Sequence, residues 1–205
     1  SPSLSTIGSN AFNGCEQLRN IYVTISENKN TNNSNTNSYY FCYSTYNYYG
    51  NNNNNNTIGE YAFKSCSSLI QFDISTDTIS VDKYAFCYCS SLVQVSIPSS
   101  VKEIKEGSFF GCTKLKDVEL PKSIKSINFR AFYSCQSITQ IIIPSSVESI
   151  GDETFRDCSS LKKVVIFPYS YETKIGKNVF IGCKSLYQIQ CYPNKTKFQS
   201  NPFND

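Results

Sequence analysis

The chain has 205 residues, 40% hydrophobic and 17% charged, enough apolar material to bury a sizeable core in one domain. Its net charge of +3 is too small to imply nucleic acid or an anionic membrane as partner, and no apolar run approaches the roughly 18 residues of a membrane-spanning helix. Histidine is absent, which excludes Ser-His-Asp and Cys-His catalysis and zinc sites that use imidazole; no glycine-rich phosphate loop and no C-x-x-C pair is present.

The chain opens at Ser1 and contains no Met, which reads as a processed product or an excised piece. The first unit that organises it follows at once. Ile7, Phe12, Cys15, Leu18, Ile21 and Val23 set a spacing that returns around Cys66, Cys89, Cys112, Cys135, Cys158 and Cys183, at steps of 51, 23, 23, 23, 23 and 25. Three residues before each of these cysteines stands Phe, and three after stands Leu or Ile. Six and eight after come apolar residues, Cys191 filling the last such slot, and eight before comes Ile or Val. Repeats of this length signal a solenoid.

Within a unit, Phe, Cys and Leu at steps of three predict a short helical or 3-10 turn with one inward face. From the Leu onward the apolar steps shorten to two and β-branched residues dominate, as in "LVQVSI" and "LKKVVI", which predicts a short strand. Pro98, Pro121 and Pro144 end it. A second extended piece, "SVKEIKE" or "SVESIGD", carries its own inward Val and Ile. After that Ile comes Gly8, Gly59, Gly151 or Gly176, or else Asp82 or Asn128. These types predict a positive-φ turn at that position, and Lys105 departs from the pattern.

A unit of 23 residues cannot bury its apolar face alone. Stacked units can, with parallel strands about 4.8 Å apart and each slot forming a column through the stack. The cysteines then read as buried free thiols filling a slot too narrow for Leu. Disulfides within the column fare worse, because seven equivalent sites cannot pair off evenly; a metal site fares worse still. Free thiols favour a reducing setting, although burial protects Cys anywhere.

Between Cys15 and Cys66 lies the Asn- and Tyr-rich segment "NKNTNNSNTNSYYFCYSTYNYYGNNNNNN". Residues 28–56 read either as a degenerate repeat around Cys42, the favoured expectation because stacking needs every layer filled, or as a loop insertion. At the other end the repeat is lost, and residues 192–205 are expected to form a cap or tail, with Phe198 and Phe203 folded inward.

The pattern Ile-Gly-x-x-Ala-Phe-x-x-Cys-x-x-Leu-x-x-Ile-x-Ile-Pro, seen best in "TIGEYAFKSCSSLIQFDI" and "SIGDETFRDCSSLKKVVIF", resembles the BspA-like, or Treponema pallidum-type, leucine-rich repeat family. The resemblance covers about residues 5–27 and 57–192. It implies an α/β repeat solenoid spanning 1–205 as one leucine-rich repeat domain, with a parallel sheet on the concave face and short strands and 3-10 or helical turns on the convex side. A parallel β-helix with three strands per turn is the alternative fold. The resemblance also implies cell-surface or secreted localisation and adhesion to host or matrix proteins. It brings no catalytic residues, metal or cofactor.

By strand alternation, residues five and seven after each Cys point away from the core. The protein-binding face expected there comprises Gln71, Asp73, Gln94, Asp117, Glu119, Gln140, Ile142, Lys163, Val165 and Gln188, with Tyr187 beside it. Ile142 and Val165, with Phe167 and Tyr187 close by, form an expected exposed apolar spot. Asp117 and Glu119 could form a glycosidase-like carboxylate pair, but the sequence shows no pocket former or apolar wall beside them. Sequons stand at Asn32, Asn55 and Asn194. The functional expectation is non-enzymatic protein binding with a protein partner, no nucleic acid and no direct membrane insertion; the alternative is an intracellular, cytoplasmic scaffold.

Overall fold

The structure, a computed structural model, describes residues 7–19, 56–167, 173–191 and 196–199. The expected columns are there. The Phe rings at 12, 63, 86, 109, 132, 155 and 180 stack face over face, with centroids 5.0–6.1 Å apart and planes within 10° of parallel. The widest spacing, 6.1 Å, falls between Phe155 and Phe180, where the repeat carries two extra residues. Ring planes this close to parallel, at spacings larger than one strand separation, are offset stacks, the favoured aromatic geometry.

Each coil contributes two strand positions joined by turns, so the three-strand β-helix alternative does not hold. The narrow strands are β1 (Thr57–Ile58), β2 (Ser80–Val81), β4 (Glu103–Ile104), β6 (Ser126–Ile127), β8 (Ser149–Ile150), β10 (Thr173–Ile175) and β12 (Thr196–Phe198). The wide strands are β3 (Gln94–Ser96), β5 (Asp117–Glu119), β7 (Gln140–Ile143), β9 (Lys163–Ile166) and β11 (Gln188–Gln190). All pairings are parallel and in register, for example Ile127↔Ile150 and Ile141↔Val164. The tail is more regular than its sequence suggests. Phe198 pairs with Ile175 in β10 and so occupies the Ile slot 23 residues further on. Phe203 lies outside the described residues.

Among the described residues there is no helix; the segments around Phe, Cys and Leu are runs of turns. The i→i+3 bonds of a 3-10 turn are made, with Cys66 N–H donating to Phe63 O and Leu69 N–H to Cys66 O, both at 3.0 Å. They do not propagate, because two residues in each turn are left-handed: Tyr61 and Ser65 in one coil, Arg130 and Ser134 in another. These residues aim their N–H groups at the next coil, as in Ser65 N–H to Cys87 O at 2.7 Å. Left-handed backbone costs about 1 kcal/mol per residue, and the inter-coil bonds offset it.

The expected position of positive φ is therefore corrected. It lies two residues after the Gly, Asp or Asn slot, and again just before each Cys. Where glycine occupies the slot itself, at Gly59 and Gly151, the backbone of the preceding coil approaches closely, although Asp82, Lys105 and Asn128 fill the same slot in other coils. A Cβ on Gly151 would fall 2.6 Å from Phe129 N, and one on Gly59 would fall 2.4 Å from Ser9 N.

The degenerate repeat expected around Cys42 lies outside the described residues; among the described residues the first unit contacts the unit of Cys66 directly. Ile7 bridges Ile58, Phe12 stacks on Phe63 at 5.1 Å, and Gly14 N–H donates to Lys64 O at 2.7 Å. Cys66 rests on the first unit itself.

The cysteine column is more than a narrow slot. Each thiol donates to the carbonyl of the Phe in the preceding coil: Cys66 to Phe12 at 2.9 Å, and Cys89, Cys112, Cys135, Cys158 and Cys183 to their Phe partners at 3.1 Å. Cys87, Cys89, Cys112, Cys135, Cys158, Cys183 and Cys191 are free thiols. Burial raises the Cys89, Cys112, Cys135 and Cys158 thiols well above their usual range, and pushes Cys183 up to about 12 and Cys87 to about 11. The buried Ser108, Thr154 and Thr173 hydroxyls are satisfied in the same way, Thr173 donating to Val147 O at 3.0 Å, whereas the buried Thr78 hydroxyl is without a partner among the described residues.

Two predictions follow from these columns. A thiol whose pKa is raised by folding stabilises the fold below its unfolded pKa, near 8.5, and loses that contribution as pH rises, by up to about 1.4 kcal/mol per pH unit per thiol. The urea midpoint is expected to fall steeply between pH 9 and pH 11, and less steeply in a Cys112→Ala variant; a flat profile would contradict the buried column. For the backbone, Gly151→Ala is expected to cost about 2 kcal/mol or more, because the facing atom is main chain, whereas Ser134→Gly at φ 55 is neutral or slightly stabilising. Denaturant titration of both variants checks the contrast.

Candidate functional site

Exposure alternates along the wide strands, but the row of outward residues is not continuous. Gln94, Asp117, Glu119, Gln140 and Ile142 project outward from their strands, and Gln188 continues the row. Gln71 bridges Gln94, and its amide donates to Asp73 Oδ1 at 3.2 Å. Lys163 is half-buried. Val165 corrects the expectation: it is only 9% exposed, flanked in register by Ile142 on one strand and Gln190 on the other. The apolar exposure sits instead on Ile142, Phe167 and Tyr187, at 46%, 47% and 75%. Phe167 is held beside β7 by its N–H bond to Ile143 O at 3.1 Å.

The wide strands do not form one sheet. β3 pairs with β5, and β7 pairs with β9 and β11, but β5 and β7 are unpaired with each other. Behind the gap the coils stay joined, with Phe109 N–H bonded to Ala131 O at 2.9 Å and Gly111 N–H to Tyr133 O at 2.8 Å. The result is a cleft of about 1160 Å³, with Asp117, Val118, Glu119 and Leu120 on one side, Gln140, Ile142 and Pro144 on the other, and Phe167, Lys116 and Lys122 at its margins. Val118 and Leu120 are half-buried, whereas their counterparts Val95, Ile97, Ile141 and Ile143 are buried.

Closing the gap in the register of the other rungs would set Glu119 beside Ile142, a carboxylate against an apolar side chain, and Asp117 beside Gln140; the second pair is of the kind that Asp117 already makes with Gln94 in the closed rung with β3, so Glu119 and Ile142 are the distinctive pair. The next rung pairs Ile142 with Val165 and Gln140 with Lys163, and it is closed. Asp117 and Glu119 are both exposed on the same face of one strand, whereas a glycosidase pair flanks the scissile bond from two sides. Among the described residues no cluster of three or more Cys, Asp or Glu is placed to hold a metal ion, and no helix is long and apolar enough to cross a membrane.

The sequence matches the BspA type leucine-rich repeat region, in six copies, over residues 1–93 and 79–205. The chain belongs to the BspA-type leucine-rich repeat family. Among solved structures it is similar to the Treponema pallidum leucine-rich repeat protein, at 29% identity over 69% of this chain and 65% of that one, TM-score 0.65. It is also similar to a leucine-rich repeat protein from Bacteroides ovatus, at 36% identity over 72% of this chain and 38% of that one, TM-score 0.66. A leucine-rich cell surface protein from Faecalibacterium prausnitzii aligns at 25% identity over 68% of this chain and 52% of that one, TM-score 0.53. The chain thus spans less than two thirds of each of these proteins. No curated protein matches the sequence.

The sequence reading missed the cleft, since position five and position seven of each repeat look alike whether or not the rung is closed. The one available signal was the acid at Glu119 beside the apolar Ile142. Glu119→Val is expected to close the rung, stabilise the fold by about 0.5–1 kcal/mol and slow hydrogen exchange at the Ile142 amide. An unchanged exchange rate would show that the carboxylate is not what holds the strands apart.

Proposed function

We propose that this chain is a non-enzymatic protein-binding domain that acts in recognition or adhesion at a cell surface. The observation that carries the reading is the exposure of Ile142, Phe167 and Tyr187 on or beside a face otherwise built of Gln140, Lys163 and Gln188. Large apolar side chains exposed within a polar rim mark protein contacts. A leucine-rich repeat family supports a protein-interaction module, and the Faecalibacterium neighbour, described as a cell surface protein, supports the location.

The second reading is an intracellular scaffold, favoured by the free thiols of Cys87, Cys89, Cys112, Cys135, Cys158, Cys183 and Cys191. Immobilised chain is expected to retain an extracellular matrix protein such as a collagen or a fibronectin, and Ile142→Asp combined with Tyr187→Ala is expected to weaken that capture at least tenfold with the fold intact. Capture that survives the double change removes this spot. If no matrix protein is retained, and surface labelling of intact source cells leaves the chain unmodified, the scaffold reading replaces adhesion.

A further inference from the structure

The gap between β5 and β7 is an interior break in a parallel sheet, and it leaves strand edges without partners in the middle of the array. Thr139 and Ile143 use their carbonyls toward β9, accepting from Lys163 N–H at 3.3 Å and Phe167 N–H at 3.1 Å. Alternation along a parallel strand then turns the main-chain groups of Gln140 and Ile142 the other way, into the cleft. Unpaired main-chain donors and acceptors in a row are the recognition chemistry of an added strand.

The side chains narrow the occupant further. Along β5 the cleft is acidic: among the described residues Asp117 and Glu119 form no ion pair and no side-chain hydrogen bond, and Lys116 and Lys122 lie beyond the two ends of the strand. Toward β7 and the end of β5 it is apolar, through Leu120, Ile142, Pro144 and Phe167. Alternate side chains on an extended chain lie about 6.6 Å apart on one face, so a single strand can address both regions. At about 1160 Å³ the cleft exceeds the roughly 300–1,000 Å³ that encloses a drug-sized molecule.

We propose that the cleft between β5 and β7 binds an extended peptide segment of a protein partner, which hydrogen-bonds to the free edge at Gln140 and Ile142. A basic side chain of the segment meets Asp117 and Glu119, and an apolar one two residues away packs on Leu120, Ile142 and Phe167. This rests on the protein-binding reading and names the form of the partner at that face.

The test uses a fluorescent, end-blocked peptide in which Lys and Ile alternate with Thr, titrated against the full chain and followed by anisotropy. The expected result is saturable binding that weakens at least tenfold in three separate cases: when Glu replaces Lys in the peptide, when alternate peptide nitrogens are methylated, and in the Glu119→Val protein. Hydrogen exchange at Gln140 and Ile142 of the unaltered protein is expected to slow at least tenfold with the peptide bound, a readout that needs no variant. Absence of binding at millimolar peptide, or binding indifferent to N-methylation and to Glu119→Val, overturns the proposal. If matrix-protein capture persists while peptides fail to bind, only the peptide site falls; if peptide binds and matrix capture fails, the choice of partner falls and the site stands.

Discussion

Everything in this fold depends on one coil lying on the next at hydrogen-bonding distance with identical side chains superposed. That single constraint accounts for features that look unrelated in the sequence. The Phe rings are parallel because each inherits the same backbone from the coil beneath it. The thiol is required because the position is buried and faces a carbonyl, so a small apolar group with a weak donor fits where Leu is too large and Ala leaves the carbonyl with one bond fewer. Glycine appears where two backbones approach, and left-handed residues appear where an N–H must point along the stack axis.

Most of this was legible because periodicity reports which residues share a slot, and slots share an environment. Ile104, Phe109, Cys112 and Leu115 are all buried, as their spacing requires. Periodicity does not report the geometry inside a slot. The residue after the Ile looked like a turn former because Gly, Asn and Asp tolerate positive φ. The glycines there also fit main-chain crowding, whereas Asp82, Asn128 and Lys105 carry a Cβ in the same slot, and the positive φ lies two residues further on. Phe198 shows the opposite failure: its spacing from Ile175 is that of a regular rung, yet the surrounding "NKTKFQS" has lost the rest of the pattern, so the rung was hidden by its neighbours.

The contact between the first two units bears on how the array tolerates its long Asn- and Tyr-rich segment. Ile7 and Ile58 are 51 residues apart, 28 more than the 23 of a regular coil, yet they occupy adjacent rungs. Chain-closure entropy grows only with the logarithm of the number of residues between two joined points, so 28 more residues between them add about 1 kcal/mol. Each added rung brings a Phe stack, a thiol bond and several main-chain bonds, as the contact of Phe12, Cys66 and Gly14 with the neighbouring coil shows. The first unit therefore gains more from joining the stack than the connection takes away.

The same logic explains why one rung can stay open without dissolving the array. Coils 112–120 and 135–143 remain joined through the turn bonds and the Phe109–Phe132 stack, so the strand side is released from carrying cohesion. It can hold residues chosen for other ends. Glu119 is a poor cross-strand neighbour for Ile142, and a carboxylate facing an isoleucine is tolerated only where water reaches it. A repeat array distributes stability over redundant bonds, and that redundancy lets one layer depart from the pattern while the layers beside it keep theirs. Such a departure, in the middle of an otherwise regular face, is where a binding property specific to this chain has room to reside.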